Sequence, residues 1–525
     1  MKKQLVLLFL ISHYTAFSQS ALNVELLAQV DRGDERYSGS WIYVAPDGKE
    51  YALVGAKTGT AIYQMDDPQH IEELAFIPGP VTNWREITVV GDYAYVVTDA
   101  QGSDHAMHVI DLTALPDTAV LINAYTATFT KGHIIQRDIF SDAPYVYVNG
   151  TTTTNGVHIL DVSDPWNPME IGAYVPGYYI HDCHVRGDLL FAAAFYEGLV
   201  DIVDISDRSN PTLIGQFTDP GGNTHSISTT ADLKYLFLAD EQDGLPGRVF
   251  DISDLGNPQE VATYTANSAS LVHNPYILGD FCFISHNTEG FRVLDIADPV
   301  LPVEVGFYDT YDGMSGGFSG LWSACPYSES GKIIGGDRTN GLYIWSFNNS
   351  RAGRVYFQVL DSEYGVPVYT ASVHINNPQQ TIFADALGWI PFGHLPGQFA
   401  ATFEAPLYFP TDVFFELIPG QQDTVVVLLD PFPTIDAVDE QAKLSLSISP
   451  NPVQDQVLIA WDAAESLGNI RILDMQGKLL FQQKVHGQNH CQFNLQHFPS
   501  GTYLIEAENT DGKIIARETL LLNNK

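Results

Sequence analysis

Four histidines recur at a nearly constant interval between residues 133 and 273 of this chain. They are His133, His181, His225 and His273. Imidazole nitrogen is the commonest protein ligand for transition metals, and imidazole also transfers protons near neutral pH. Each histidine directly precedes a short apolar or alternating segment, and three further segments of this kind are preceded by Trp41, Arg85 and Trp322. The spacing therefore predicts seven equivalent positions, each with one large polar or aromatic side chain.

Acidic residues and further histidines accompany these positions. Glu86, Asp182 and His184 follow them directly, and the turns after the next predicted strand carry Asp240, Glu241, His286 and Asp337. Carboxylates commonly orient metal-ligating imidazoles, and imidazole with carboxylate suits zinc or iron; calcium is a third ion to consider. The pattern predicts a ligand-binding ring with a metal at His181, His225 and His273. Alternatively, these polar side chains only bind water and neighbouring repeats.

A repeated phrase supplies the framework for these residues. It occurs as VHILDVSDPWNP, VDIVDISDRSNP, RVFDISDLGNP and FRVLDIADPVLP, with degenerate copies on either side. Its anchors are Gln64, Asp111, Asp161, Asp204, Asp251, Asp295 and Trp345, spaced 43 to 50 residues apart. Repeats of this length built from short β segments are typical of propeller blades. The anchor aspartates are expected to cap the turn that follows each of them.

Each unit contains four short β segments separated by Gly, Asp, Asn and Pro turns. The last unit ends at LYIWSF without a fourth segment, whereas NVELLAQV precedes the first unit and resembles a fourth strand. We therefore expect the N-terminal strand to complete the last blade and close the ring. Because innermost strands line the channel, the seven equivalent side chains should surround one mouth of it. The predicted fold is all-β, a seven-bladed β-propeller over 19–349 followed by two small β-sandwiches.

Composition sets limits on partners and location. The formal charge of −38 opposes binding to nucleic acid. Residues 1–18 combine two lysines, an apolar run and small residues, which predicts a secretory signal peptide, and no later stretch is apolar enough to span a membrane. The four cysteines are widely spaced and predict small buried side chains, not a zinc cluster or a disulfide framework.

Two further modules follow the predicted propeller. Residues 350–431 alternate as a small sandwich, and VLDSEYGVPVYTASV with ADALGWIPFGHLPGQF resembles the regulatory-like domain found beside carboxypeptidases. That resemblance implies a scaffold role without catalytic residues. A linker at 432–443 leads to residues 444–525, where SPNP, LDMQGKLL and HFPSGTYLIE resemble the C-terminal sorting domain of type IX secretion in Bacteroidetes. This implies interaction with that secretion machinery and a secreted or outer-membrane surface location.

The propeller segments also resemble a family. VTNWREITVVGDYAYVVTD, YYIHDCHVRGDLLFAAAF, NTHSISTTADLKYLFLADEQDG and FSGLWSACPYSESGKIIGGDRTNGLYIW are similar to the choice-of-anchor B family of LVIVD-repeat proteins. The resemblance implies a secreted or surface-attached propeller without a settled activity.

Three classes of function remain open from the sequence. The preferred hypothesis is a surface-displayed binding or adhesion protein that presents one propeller face to an unknown extracellular ligand, a glycan or a protein, because the propeller, the sandwich and the sorting signal together describe a scaffold. The second is a metal-dependent hydrolase or lyase that uses the histidine ring to activate water. The third is a purely structural component of the cell envelope.

Overall fold

The computed structural model describes residues 21–33, 35–100, 106–151, 153–432, 444–462 and 467–523. The expected signal peptide at 1–18 and all but the first residue of the expected linker at 432–443 lie outside the described residues. Every regular element in the described ranges is a β-strand. The prediction of an all-β fold is confirmed.

The strands before residue 354 form seven antiparallel sheets within the described ranges. Two N-terminal strands come first: β1 (Ala21–Leu22) and β2 (Val24–Val30). The first and second sheets contain β3 (Tyr37–Val44), β4 (Glu50–Ala56), β5 (Gly59–Gln64), β6 (Glu72–Pro78), β7 (Arg85–Val90), β8 (Tyr93–Thr98), β9 (Met107–Asp111) and β10 (Val120–Tyr125). The third and fourth contain β11 (Ile134–Gln136), β12 (Tyr145–Asn149), β13 (Val157–Asp161), β14 (Met169–Tyr174), β15 (Asp182–Arg186), β16 (Leu189–Ala194), β17 (Leu199–Asp204) and β18 (Thr212–Thr218).

The remaining three sheets repeat this plan. The fifth and sixth contain β19 (Thr224–Thr229), β20 (Tyr235–Asp240), β21 (Gly247–Asp251), β22 (Gln259–Tyr264), β23 (Asn274–Leu278), β24 (Phe281–Ser285), β25 (Phe291–Asp295) and β26 (Val303–Tyr308), with β1 added beside β26. The seventh contains β27 (Leu321–Cys325), β28 (Lys332–Asp337) and β29 (Gly341–Phe347). Its fourth strand is β2, which pairs antiparallel with β29 from Val24 opposite Phe347 to Val30 opposite Leu342. The expected role of the N-terminal strand is confirmed.

Apolar clusters between successive sheets hold this part of the molecule together. In β4, Ala52 and Val54 pack towards the seventh sheet, whereas Leu53 packs towards the second, because neighbouring strand residues point to opposite faces. Corresponding clusters join each of the remaining successive pairs of sheets. The sheets therefore form a closed, propeller-like ring, with their first strands innermost.

The anchor aspartates cap the turns after the third strands, as the sequence predicts. The Asp161 carboxylate accepts the amide of Ser163 at 2.8 Å, and Asp204 and Asp251 bind the amides two residues on in the same way. This is the Asx-turn expected of aspartate followed by a small residue.

The remaining strands form two pairs of sheets. The first pair contains β30 (Gly353–Asp361), β31 (Ser372–Asn376), β32 (Gln379–Phe383), β33 (Trp389–His394), β34 (Gly397–Glu404), β35 (Thr411–Leu417) and β36 (Gln422–Leu429), in the orders β33-β30-β36 and β32-β31-β34-β35. The second contains β37 (Leu446–Ser449), β38 (Gln456–Trp461), β39 (Leu467–Leu473), β40 (Leu479–Lys484), β41 (His490–Asn494), β42 (Gly501–Asn509) and β43 (Ile514–Leu522), in the orders β37-β38-β41 and β40-β39-β42-β43. All four cysteines are buried and unbonded to one another, as expected.

Substitution of Trp345 tests the packing between the sixth and seventh sheets. Its ring is fully buried and stacks on Phe291 at 4.9 Å and on Tyr343 at 5.3 Å. We expect Trp345→Ala to lower the free energy of unfolding by about 3–5 kcal/mol, because it leaves a large cavity. Trp166, which is 56% exposed, supplies the control, and Trp166→Ala should cost about 0.5 kcal/mol or less. Urea unfolding followed by circular dichroism measures both; equal costs would contradict the described packing.

Candidate functional site

Five aromatic rings from five successive sheets lie in contact at the start of the innermost strands. Their successive centroids are 4.8, 4.3, 4.5 and 4.3 Å apart. In order, they are His133, His181, His225, His273 and Trp322. We call this set the mouth ring. Four histidines on consecutive sheets are therefore brought together at one end of the channel.

Backbone hydrogen bonds orient two imidazoles of the mouth ring. Nδ1 of His225 bonds the carbonyl oxygen of His273 at 3.1 Å, and Nδ1 of His273 bonds that of Trp322 at 2.9 Å. Because a carbonyl only accepts, each Nδ1 must donate its hydrogen, which leaves Nε2 of a neutral imidazole with a free lone pair. Burial lowers the pKa of His225 to about 3, so this ring is neutral at physiological pH. A fixed Nδ1–H donor and an unprotonated Nε2 are what a metal-ligating histidine requires.

The Glu241 carboxylate faces the two free nitrogens. Its Oε1 lies 3.7 Å from Nε2 of His225 and 3.8 Å from Nε2 of His273. Burial by itself raises the pKa of Glu241, but His225 and His273 outweigh this effect and lower it to about 2. The carboxylate of Glu241 therefore forms one electrostatically coupled group with these two imidazoles.

His181 completes this group. One ligand atom from each of His181, His225 and Glu241 can be chosen so that all lie within 4.8 Å of one another. Burial, followed by the neighbouring His225 and His133, holds the pKa of His181 well below its usual value. Its Nδ1 is buried without a hydrogen-bond partner among the described residues. Its Nε2 lies 3.1 Å from Nε2 of His133.

His133 connects the mouth ring to a second carboxylate. Nδ1 of His133 lies 3.8 Å from Oδ2 of Asp99, which follows β8. Burial opposes ionisation of Asp99, but interactions with His133 and Thr82 outweigh it and lower the pKa of Asp99. The side chain of His133 is 17% exposed, so it is more accessible than the rings of His225 and His273.

The donor set fits a transition metal better than calcium. Two ligands of a tetrahedral zinc ion are about 3.3 Å apart, given zinc–ligand distances of about 2.0–2.1 Å. The distances of 3.7 and 3.8 Å between Glu241 and the two imidazoles exceed this value by only about 0.4 to 0.5 Å. Calcium binds six to eight oxygen ligands, whereas the group here offers mainly imidazole nitrogen.

Two of the seven predicted ring residues lie elsewhere. The Arg85 side chain turns away from the mouth ring, and its guanidinium donates to the carbonyl oxygens of Ala56 and Pro80 at 3.1 and 2.6 Å. Trp41 packs at 5.9 Å from Tyr327, further along the channel. Trp41 is the fifth residue of β3 and lies opposite Leu53 of β4, whereas each mouth-ring residue lies directly before its innermost strand or at the second position of it.

Glu86, Asp182 and His184 line the channel below the mouth ring. The cavity there has a volume of about 60 Å³, enough for a few water molecules. Trp322 Nε1 donates to Glu86 at 2.9 Å, while Asp182 accepts from Gln136 Nε2 at 3.1 Å. Nε2 of His184 lies 2.9 Å from the Thr229 hydroxyl. Asp182 and His184 thus have partners in the channel and form no hydrogen bond to a mouth-ring imidazole among the described residues. Glu86 instead contacts the mouth ring through Trp322.

Three of the four predicted turn residues have partners away from the mouth ring. Asp240 is buried beside Arg248 and the Asp219 carboxyl, and burial together with Asp219 raises its pKa. His286 accepts the Ala266 amide and lies beside Tyr264. Asp337 accepts the amides of Thr339 and Asn340 and caps their turn. Of these four, only Glu241 reaches the mouth ring.

Sequence spacing did not single out Trp84, Tyr179 or Arg338, all of which lie near the mouth ring. The Tyr179 ring is 6.0 Å from that of His181. Arg338 lies against Trp322 and Trp84. Trp84 directly precedes the predicted ring position Arg85, and Arg338 directly follows the predicted turn residue Asp337. The sequence neighbours of the predicted positions would therefore have indicated these two residues.

Comparison with known proteins identifies both types of module. LVIVD repeats match residues 83–103, 143–175, 179–219, 221–266 and 274–310. A secretion system C-terminal sorting domain matches residues 447–519. An uncharacterized protein of Methanocaldococcus jannaschii is 28% identical over 116 residues, which are 22% of this chain and 18% of that relative. The matched stretch is thus less than a fifth of the relative's length.

The chain therefore carries LVIVD repeats in an all-β, propeller-like fold and a sorting domain that implies export by type IX secretion. His181, His225 and Glu241 lie within matched repeats, whereas His133 and His273 lie between them. Among the described residues, no helix has the length and apolar character needed to cross a membrane.

Glu86 makes stability depend on pH. Burial raises its pKa from 4.5 to about 8, so the folded protein binds a proton that the unfolded chain releases between these values. Stability should therefore fall as pH rises from about 4.5 to 8, by up to about 1.4 kcal/mol per pH unit. Glu86→Gln keeps an oxygen acceptor for Trp322 and removes this titration.

We expect Glu86→Gln to match the wild type at pH 4.5 and to exceed its free energy of unfolding by about 4 kcal/mol at pH 8. Urea unfolding at both pH values measures the difference. Glu197→Gln, at an exposed turn residue, is the control and should follow the wild type throughout. An unchanged pH dependence in Glu86→Gln would contradict the role of this carboxyl.

Proposed function

We propose that this exported LVIVD-repeat protein is a binding protein that holds one divalent transition-metal ion at the mouth ring and presents it to an extracellular ligand. His181, His225 and Glu241 are the proposed metal ligands, and His273 is the nearest further imidazole. The observation that carries the proposal is the placement of Glu241 between two imidazoles whose Nδ1 atoms bind backbone carbonyls.

Burial supports this proposal in two ways. The imidazoles of His225 and His273 have exposed side-chain fractions of 3% and 1%, and Nε2 of His273 has no hydrogen-bond partner among the described residues. A buried polar atom without a partner is unfavourable, and coordination to a metal removes that cost. In addition, His225 needs no deprotonation before it binds metal, since its pKa is already low.

Zinc or iron suits the mixed imidazole and carboxylate set. Three protein ligands leave at least one position on a tetrahedral ion for water or for a group of the bound ligand. A surface protein with such a site can bind a ligand by direct coordination. This agrees with a binding role for the propeller face, as the sequence favours.

Metal content tests the proposal directly. We expect the full-length exported protein, purified without chelator, to retain about one zinc or iron ion per chain and no stoichiometric calcium. His225→Ala and Glu241→Gln should each lower metal affinity by at least about 10- to 100-fold, because each removes a proposed ligand. Elemental analysis and the shift in melting temperature on adding zinc measure these effects.

The matched control is His70→Ala, because the His70 side chain is 80% exposed and lies outside the mouth ring. It should retain wild-type metal content. Circular dichroism establishes that each variant is folded. A folded wild-type protein that retains no transition metal and gains no stability from zinc would contradict the proposal.

A second candidate function is metal-dependent hydrolysis. The specific observation is the Asp99–His133 pair, which adjoins the proposed ligand His181. A histidine in this position can accept the proton of a metal-bound water, while Asp99 stabilises the imidazolium that forms. In this mechanism a bound ion would activate a water molecule, and His133 would act as the general base.

Hydrolysis of p-nitrophenyl esters, phosphates and glycosides tests this second candidate. We expect activity that is lost on treatment with chelator and restored by zinc. His133→Gln should lower kcat by about 100-fold or more with unchanged metal content, since it removes the base but no proposed ligand. The absence of metal-dependent turnover on all three probes would leave the site a binding site only.

A further inference from the structure

A buried arginine without a partner lies beside the mouth ring. Arg338 is 8% exposed, and its guanidinium carbon lies 4.9 Å from the ring centroid of Trp322 and 5.8 Å from that of Trp84. Its backbone amide donates to Gly320, but its guanidinium has no hydrogen bond or ion pair to any described residue. Five N–H donors are therefore held between two aromatic rings without an acceptor.

Other buried arginines in the chain differ from Arg338 in this respect. Arg85 donates to two carbonyl oxygens, and Arg354 donates to Asp295 and to the Leu301 carbonyl. A buried cation normally has such partners, because desolvation without compensation is costly. The exception at Arg338 points to an acceptor that the described residues do not supply.

The surroundings of Arg338 favour an anion. Trp322 contacts both Arg338 and His273, so the guanidinium stands next to the proposed metal site. Burial lowers the pKa of Arg338, and the nearby Arg36 lowers it further, while Glu241 and Asp337 act in the opposite direction. In a chain of formal charge −38, Arg338 and Arg36 place two positive charges near each other, partly offset by Glu241 and Asp337.

We infer that the mouth binds a ligand through an oxyanion group, a carboxylate or a phosphate, which accepts hydrogen bonds from the Arg338 guanidinium. The inference rests on the proposed function in taking the mouth as the ligand-binding face. The planar guanidinium matches the two oxygens of such a group. The rings of Trp84 and Trp322 restrict its orientation, so little side-chain entropy remains to be lost on binding.

Binding of small probes tests the inference on the full-length protein. D-glucuronate and inorganic phosphate carry the proposed group, whereas D-glucose is the neutral counterpart of glucuronate. By isothermal titration calorimetry, we expect glucuronate or phosphate to bind at least tenfold more tightly than glucose. Arg338→Gln should weaken that binding by about 10- to 100-fold, because it removes a charge-assisted hydrogen bond. Arg338→Lys keeps the positive charge but lacks the paired N–H donors of the guanidinium, so it should give an intermediate affinity.

The matched control is Arg186→Gln. Arg186 also lies over an aromatic ring, that of Phe140 at 3.7 Å, but it belongs to the opposite end of an innermost strand. Its substitution should leave anion binding unchanged. Equal affinities of the wild type and a folded Arg338→Gln for every probe would overturn the inference, as would binding of glucose as tight as that of glucuronate.

Metal content measured on the same samples separates this inference from the proposed function. Binding that depends on Arg338 in a protein that contains no metal would support the anion site and contradict the metal site. Stoichiometric metal without binding that depends on Arg338 would overturn the anion site and leave the metal site supported.

Discussion

The hydrogen bond from an imidazole to the backbone of the next sheet is the interaction on which the site depends. It joins His225 to His273 and His273 to Trp322, and so connects three successive innermost strands. The same bond places the hydrogen on Nδ1 and directs Nε2 towards Glu241. Packing between sheets and ligand chemistry are therefore linked, since a change in the distance between neighbouring sheets also changes the direction of the lone pairs.

The charge distribution gives the mouth a character unlike the rest of the molecule. The chain is strongly acidic overall, yet the mouth ring brings four imidazoles together with one glutamate and with an arginine that has no hydrogen-bond acceptor among the described residues. Burial separates these groups from solvent and strengthens their mutual interactions. The mouth can therefore bind a specific ligand even though the acidic surface of the rest of the molecule repels other acidic molecules.

The fold could be predicted from the sequence because its signals are local and repeated. Asp161, Asp204 and Asp251 each cap their own turn, so one phrase reveals the same local structure several times. The site was less accessible to sequence reasoning. Glu241 and Asp240 are adjacent, yet one faces the imidazoles and the other Arg248, a difference that spacing does not resolve. Trp41 lies further along its strand than the spacing implies, and Arg338 has no counterpart in the repeated phrase.

The pairing of β2 with β29 constrains the order in which the chain can complete its fold. Val24 leaves a ribosome or a translocation pore early, but its partner Phe347 follows more than 300 residues later. Closing so long a loop costs about 5 kcal/mol of chain entropy, which the packing of the last sheet must offset. Until then, β2 and the unfinished seventh sheet both have exposed edges with which another chain could pair. A ring closed by its two ends is therefore most vulnerable to misassembly during its own export.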